Sequence, residues 1–331
     1  IDQNVLKRRI LVLGSGKRAS QIADMEASPE FNSVSVVGYV HMRGEQDVID
    51  EKRVIHLQDQ SLKELTVDRN IDEMVVAVDD RRKALPVHEI LDCKMDGVDV
   101  VDLLTFFERE TGRVMLDIMQ PSWMFLSDGF QCNASRAYTK RFLDIVVSML
   151  LLPLALPIMI VVAAAILIES RGRGGFLYHQ VRVGEKGLPF TIYKFRSMQV
   201  DAESDGQVRW AQKQDSRVTR VGSIIRKIRA DELPQIFNIL NGDMSFVGPR
   251  PERPEFVSDL EKIIPYYNER HRMKPGLTGW AQISYQYGAS EGDALEKLQY
   301  DLYYIKNYSI FIDLIIILKT AEVVLVGKGA H

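Results

Sequence analysis

From Phe142 to Ile168 the sequence reads FLDIVVSMLLLPLALPIMIVVAAAILI, 27 residues whose only charge is Asp144. About 20 consecutive apolar residues span a bilayer as a helix, so this run is long enough to enter a membrane. A buried core helix is the plain alternative, although soluble core helices seldom run so long unbroken. Basic residues mark cytoplasmic flanks, and both flanks are basic here: Lys140 and Arg141 before, Arg171 and Arg173 after. Pro153 and Pro157 stand mid-run, where each removes a helix hydrogen bond and bends the axis. Symmetric flanks and two prolines predict a re-entrant helix, kinked at Pro153 and Pro157, that returns to the face it entered from. A simple transmembrane span is the competing topology. A second apolar stretch, Ile310 to Val326, is interrupted by Asp313, Lys319 and Glu322. It reads as an amphipathic helix on a surface or against a domain.

The rest of the 331 residues have a globular composition, 46% hydrophobic and 26% charged, which excludes disorder and fibrous repeats. A net charge of −3 argues against nucleic-acid partners. Cys93 and Cys132 stand apart with no His or Cys at metal spacing, so neither a disulfide scaffold nor a zinc module is expected. The chain opens on Ile1 rather than Met, and its natural start is expected further upstream.

The apolar run divides the chain into two expected domains, 1–135 and 136–331. Before it, Arg9–Gly14, Val34–Val40, Met74–Val78 and Gly97–Val101 read as parallel strands, with helices over Lys17–Glu26 and Lys83–Lys94. Residues 111–139 read as a linker. The first strand ends in Gly14-Ser15-Gly16-Lys17-Arg18-Ala19, a G-x-G-x-x-A turn opening a helix. The acidic residue expected about 20 residues on is replaced by Tyr39-Val40-His41. A Rossmann-like scaffold kept for regulation or assembly is therefore favoured over a cofactor-binding domain.

After the run, strand-like FLYHQVRVG and PFTIYKFRSM precede a polar stretch, 201–216, expected to be a mobile loop. Residues 217–229 are expected to form an amphipathic helix whose basic face suits anionic lipid or a phosphate substrate. It leads into Asp231-Glu232-Leu233-Pro234-Gln235, where Asp231 has the chemistry of an N-cap and Pro234 falls in the first turn of a helix over Leu233–Leu240. Gly248-Pro249-Arg250-Pro251 is a rigid turn presenting one guanidinium, the side chain best shaped to clasp phosphate. Lys194, Arg196, Arg226 and Arg250 are expected to surround Asp231 and Glu232. Cations around two carboxylates are the makeup of a phosphoryl-transfer site using a divalent metal.

At these residues the chain resembles the bacterial polyprenyl-phosphate sugar phosphotransferases, monotopic enzymes that initiate exopolysaccharide and O-antigen assembly. The motifs are YKFRSM at 193–198, DELPQ at 231–235, GDMSFVGPRP at 242–251 and KPGLTGW at 274–280, in family order. The resemblance covers roughly 139–328 and implies a small, mostly helical α+β catalytic domain following the membrane helix. The part before it resembles the Rossmann-like domain of the larger members.

The resemblance further implies transfer of a phosphosugar from a UDP-sugar to undecaprenyl phosphate, with release of UMP. Asp231 matches the family's nucleophile, which cations and a helix start are expected to keep ionised. Glu232 matches its partner on Mg2+, and Lys194, Arg226 and Arg250 match residues of the phosphate pocket. The expected surroundings are inner-membrane lipid, with the catalytic domain on the cytoplasmic face, and a second copy of the chain in a dimer. Glucose and galactose are the sugars to which the resemblance points. Two positions depart from the family: Leu156-Pro157 replaces its Ser-Pro break, and Ala281–Gln286 lacks the terminal cation of small members. A membrane-anchored nicotinamide enzyme would rest on the Gly14–Ala19 turn alone. A non-catalytic regulatory or assembly subunit would leave the cations around Asp231 and Glu232 without a purpose.

Overall fold

The computed structural model describes residues 7–26, 28, 31–57, 60–80, 85–119, 123–124, 127, 129–130, 134–200, 202, 217–285, 288 and 290–326. Cys132, Gln286 and nearly all of the 201–216 stretch lie outside the described residues. The chain forms two compact units, Ile1–Pro121 and Ser122–His331.

The first unit is a five-stranded parallel sheet flanked by helices. In chain order its elements are β1 (Arg8–Leu13), α1 (Lys17–Met25), β2 (Val34–Val40), β3 (Val54–Ile55), α2 (Leu62–Asp68), β4 (Glu73–Val76), α3 (Val87–Met95), β5 (Asp99–Asp102) and α4 (Leu103–Thr111). The strand order is β3-β2-β1-β4-β5, that of doubly wound sheets. Alternation along β1 feeds two cores: Ile10 and Val12 pack with Ala19, Ile22 and Phe106, whereas Leu11 and Leu13 pack with Leu62, Leu65 and Cys93. A sheet covered on both faces needs such continuously apolar strands. Gly14 adopts φ +125°, and a Cβ there would meet the Ala77 carbonyl oxygen at 2.8 Å, so the turn after β1 requires glycine.

The second unit begins before its long helix. Part of the expected linker belongs to it, since Trp123 packs edge-on to Phe130 at 6.1 Å and Lys306 Nζ lies 4.2 Å from the Trp123 ring centre. Helix α5 (Ala134–Glu169) runs through Pro153 and Pro157 as one 36-residue element. One stripe, Ala155, Met159, Val162 and Ile166, packs on Phe195, Ile225 and Ala230 of the unit. Leu150, Leu154, Ile160 and Val161 remain about two-thirds exposed. A long helix with an uncovered apolar surface is what a membrane-associated element presents.

The remaining elements are β6 (Leu177–Val183) and β7 (Pro189–Phe195), an antiparallel hairpin, then α6 (Arg220–Lys227), α7 (Gln235–Asn241), β8 (Ser245–Val247), α8 (Pro254–Ile263), β9 (Gly276–Thr278), α9 (Trp280–Ser284), α10 (Glu291–Lys306) and α11 (Ile310–Val326). β8 and β9 pair in parallel, and a Cβ on Gly276 would come within 2.1 Å of the Gly248 nitrogen. α11 packs through Ile316 and partly buried Ile312 and Ile317 on Val247, Tyr304 and Tyr308.

The start of α5 is anchored by polar contacts. Lys140 is buried and donates to Asp313 Oδ2 (2.8 Å) and Tyr304 Oη (3.1 Å). Arg141 donates to the carbonyls of Ile239 and Leu240. These two cations, expected to mark a flank at the lipid surface, are instead engaged inside the unit.

Candidate active site

Asp231 and Glu232 sit on a single 3-10 turn, Ala230–Glu232, between α6 and α7. Arg229 enters this turn in the left-handed region (φ 59°, ψ 17°), a conformation that costs a non-glycine residue of order 1–3 kcal/mol. The expected N-cap role of Asp231 is not realised. Pro234 is the cap residue of α7 and makes no side-chain cap bond, since its ring carries no oxygen to accept from the first-turn N–H groups. The expected helix end does hold: Gly242 closes α7 at φ 92°.

Glu232 Oε1 accepts from Lys194 Nζ at 3.1 Å and from Arg250 Nη2 at 3.0 Å. Lys194 arrives on β7, and this strand is tied to α7 by buried Asn238, which accepts from Tyr193 N (3.0 Å) and donates to Thr191 O (2.7 Å). Arg250 arrives on the turn after β8. That turn is held by Gly248 N donating to Thr278 O, Gly276 N to Pro249 O, and Arg270 Nη2 to the Arg250 carbonyl (3.1 Å). Arg226 acts on Asp231 through its charge, as does Arg229, which the sequence marked only as part of the basic 217–229 face. Arg196 does not join the set. Its guanidinium donates to the Arg173 carbonyl at 2.8 Å and closes the loop after α5.

Electrostatics separate the two carboxylates. Burial alone would raise Glu232, but Lys194, Arg250 and Arg229 outweigh it and hold the group far below the usual carboxylate range. Burial and the Glu232 charge push Asp231 above its ordinary value, against Lys194, Arg226 and Arg229. The cations expected to keep Asp231 ionised are thus opposed there by burial and by the Glu232 charge, while Lys194 and Arg250 are bound to its neighbour. Burial lowers Lys194, opposed by Glu232.

Beside Glu232 a small cleft is lined by Arg182, Lys194, Gln235, Arg250 and Pro251. Arg182 and Gln235 were not singled out from the sequence. Only the QVRVG and DELPQ strings that contain them could have drawn notice, and a glutamine one turn past an acidic pair carries no signal of its own.

Among the described residues no group of three or more His, Cys, Asp or Glu side chains gathers to cage a metal. Mg2+ does not need one: it takes one or two carboxylates together with substrate phosphates and water. Adjacent carboxylates, one raised by burial and by the charge of the other, with Lys194 and Arg250 on a single oxygen of Glu232, fit that mode.

A family model described as bacterial sugar transferase matches residues 135–327. The chain is 42% identical over 239 residues to a UDP-N-acetylgalactosamine-undecaprenyl-phosphate N-acetylgalactosaminephosphotransferase of Aeromonas hydrophila, covering 72% of this chain and 55% of that protein. It is 44% identical over 203 residues to a UDP-glucose:undecaprenyl-phosphate glucose-1-phosphate transferase of Klebsiella pneumoniae, covering 60% and 43%. An undecaprenyl-phosphate glucose phosphotransferase of Komagataeibacter xylinus is 30% identical over 333 residues, 98% of this chain and 60% of its own length. The chain thus spans about half the length of these curated relatives.

Proposed function

The chain belongs to the bacterial sugar transferase family, and on that premise we propose that it moves a phosphosugar from a UDP-sugar to undecaprenyl phosphate, releasing UMP. The observation that carries this reading is the clamp of Lys194 and Arg250 on Glu232 directly beside Asp231. Two anionic substrates repel one another, and a carboxylate nucleophile divides their encounter into two steps.

In the first step an Asp231 carboxylate oxygen attacks the phosphorus bearing the sugar. A new O–P bond forms, the P–O bond to UMP breaks, and the bridging oxygen departs with UMP. In the second, an oxygen of the lipid phosphate attacks the same phosphorus and frees the Asp231 carboxylate. Lys194, Arg226 and Arg250 neutralise the phosphoryl oxygens as charge develops on them. Glu232 would hold Mg2+, which when bound offsets the diphosphate charge. The exposed apolar surface of α5 supports action at a membrane, with the catalytic unit on the cytoplasmic face of the inner membrane. The parallel sheet of the first unit serves as a Rossmann-like scaffold for assembly or regulation.

The test is UMP release by the purified full chain in a membrane mimic, with undecaprenyl phosphate, Mg2+ and a panel of UDP-sugars. Release with one or more sugars is expected, and the panel identifies the sugar. No release with any of them would leave a regulatory subunit as the better reading.

A further inference from the structure

Two buried donors beside the acidic pair have no partner among the described residues: Gln235 Nε2 and Arg182 Nε. Both side chains line the same cavity as Lys194 and Arg250. Gln235 is 2% exposed. An unpaired buried donor costs roughly as much as the hydrogen bond it lacks, so two around one cavity call for an acceptor. The rest of the Arg182 guanidinium is engaged, with Nη1 donating to Pro251 O (3.2 Å) and Nη2 to Gln180 Oε1 (2.7 Å). Glu252 lies 3.7 Å from it. The guanidinium is therefore fixed by its ends, leaving Nε for a ligand.

Charge defines the acceptor. Lys194, Arg182 and Arg250 face the cavity, with Glu232 bridging two of them at its edge and Glu252 on the third. A neutral amide donor among three cations suits an oxyanion with several acceptor oxygens, and a Gln amide cannot be neutralised by the neighbouring carboxylate as a further cation would be. We infer that Gln235 and Arg182 complete a seat for a phosphate monoester, with Gln235 Nε2 and Arg182 Nε donating to its oxygens. The inference rests on the function proposed above, in which both the released UMP and the acceptor lipid are phosphate monoesters.

Calorimetry on the full chain in nanodiscs, without sugar donor, tests the seat with UMP, uridine and a short-chain polyprenyl phosphate. Gln235→Met keeps length and removes the donor, and Gln235→Glu replaces it with negative charge. UMP affinity should fall roughly tenfold in the first and further in the second, as expected for a hydrogen bond to a charged group. Uridine binding should not change. A loss confined to UMP assigns the seat to the nucleotide, and a parallel loss for the lipid phosphate makes it a seat used in turn by both. Wild-type affinity for both phosphates in two variants that retain the wild-type unfolding transition would overturn the inference and leave buried water as the partner of these donors. Because binding is read without turnover, a wild type that releases no UMP from any UDP-sugar would defeat the proposed function while the affinity result stood.

Discussion

Asp231 and Glu232 are adjacent, similar in chemistry and opposite in environment. Glu232 is held ionised by Lys194 and Arg250, whereas burial and the Glu232 charge raise Asp231. A carboxylate raised in this way is the more basic and stronger nucleophile once deprotonated. The sign for activity follows. Attack requires the ionised form, so the rate should fall as pH drops through the raised value of Asp231, with its midpoint above the 3.8 of a free aspartate. Glu232→Gln removes the nearby negative charge and releases two cations toward Asp231, so the acid limb of the residual activity should move to lower pH. A pH–rate profile of that variant showing an upward move would refute the assignment. Asp231→Asn should lose turnover altogether, with no labelled peptide by mass analysis after incubation with labelled UDP-sugar. Arg250→Lys should lose much of the rate, on the order of tenfold or more, since an ammonium cannot reproduce a two-pronged clasp. That Lys194, Arg226 and Arg250 lie near the acidic pair was legible from motifs standing in family order, although Lys194 and Arg250 are 38 and 18 residues from Glu232. Arg196 was misplaced because only the loop after α5 decides where its side chain goes.

Two elements hang on the start of the long helix. Asp144, the one charge of the apolar run, is buried and accepts from Ser245 Oγ (2.9 Å) and Phe246 N (3.1 Å). It thereby fixes β8, which leads into the Arg250 turn. Arg141 donates to the Ile239 and Leu240 carbonyls at the far end of α7, whose other end follows the acidic pair. Both bonds to Asp144 fall on Oδ1, which an asparagine can imitate. Asp144→Asn should therefore retain most activity, while Asp144→Leu strands a buried hydroxyl and a backbone N–H at about 1–3 kcal/mol each. Unfolding and UMP-release measurements on the two variants separate these outcomes. In the first unit three donors of the glycine turn are already satisfied by side chains of the chain itself. Asp79 accepts from Lys17 N (3.1 Å) and Arg18 N (2.9 Å), and Glu45 from Ser15 N (3.0 Å). A pyrophosphate would have to displace both carboxylates, so calorimetry on the full chain should detect no low-micromolar NAD or NADP binding. This exclusion was invisible in the G-x-G-x-x-A string, because Asp79 arrives from just past β4, 62 and 61 residues from the Lys17 and Arg18 it bonds. Short elements escaped for a different reason. β3 has two residues, and α4 follows β5 without a loop, capped by Asp102 through Leu104 N and Thr105 N.

The largest question of scale is how the second unit meets the membrane. A helix rises about 1.5 Å per residue, so the 36 residues of α5 provide roughly 54 Å, well beyond a hydrocarbon core of about 30 Å. Length alone would permit a span. The contacts at its two ends weigh against one. At the start, Lys140 and Arg141 bond to Asp313 and to the end of α7. Toward the other end Val162 and Ile166 pack with Ile225 and Ala230, and Glu169 Oε1 accepts from Arg220 N and Val221 N at the start of α6. Both ends therefore meet one compact unit that carries the acidic pair, and a bilayer cannot pass between them without dividing that unit. This supports entry and exit on one face more directly than the flanking charges do, since Lys140 and Arg141 are occupied internally. Cysteines introduced near 138 and 172 should both be shielded from a periplasmic thiol reagent in intact cells and both react after permeabilisation. Labelling of one position alone from outside would establish a span and, with it, a different arrangement of this unit in the membrane.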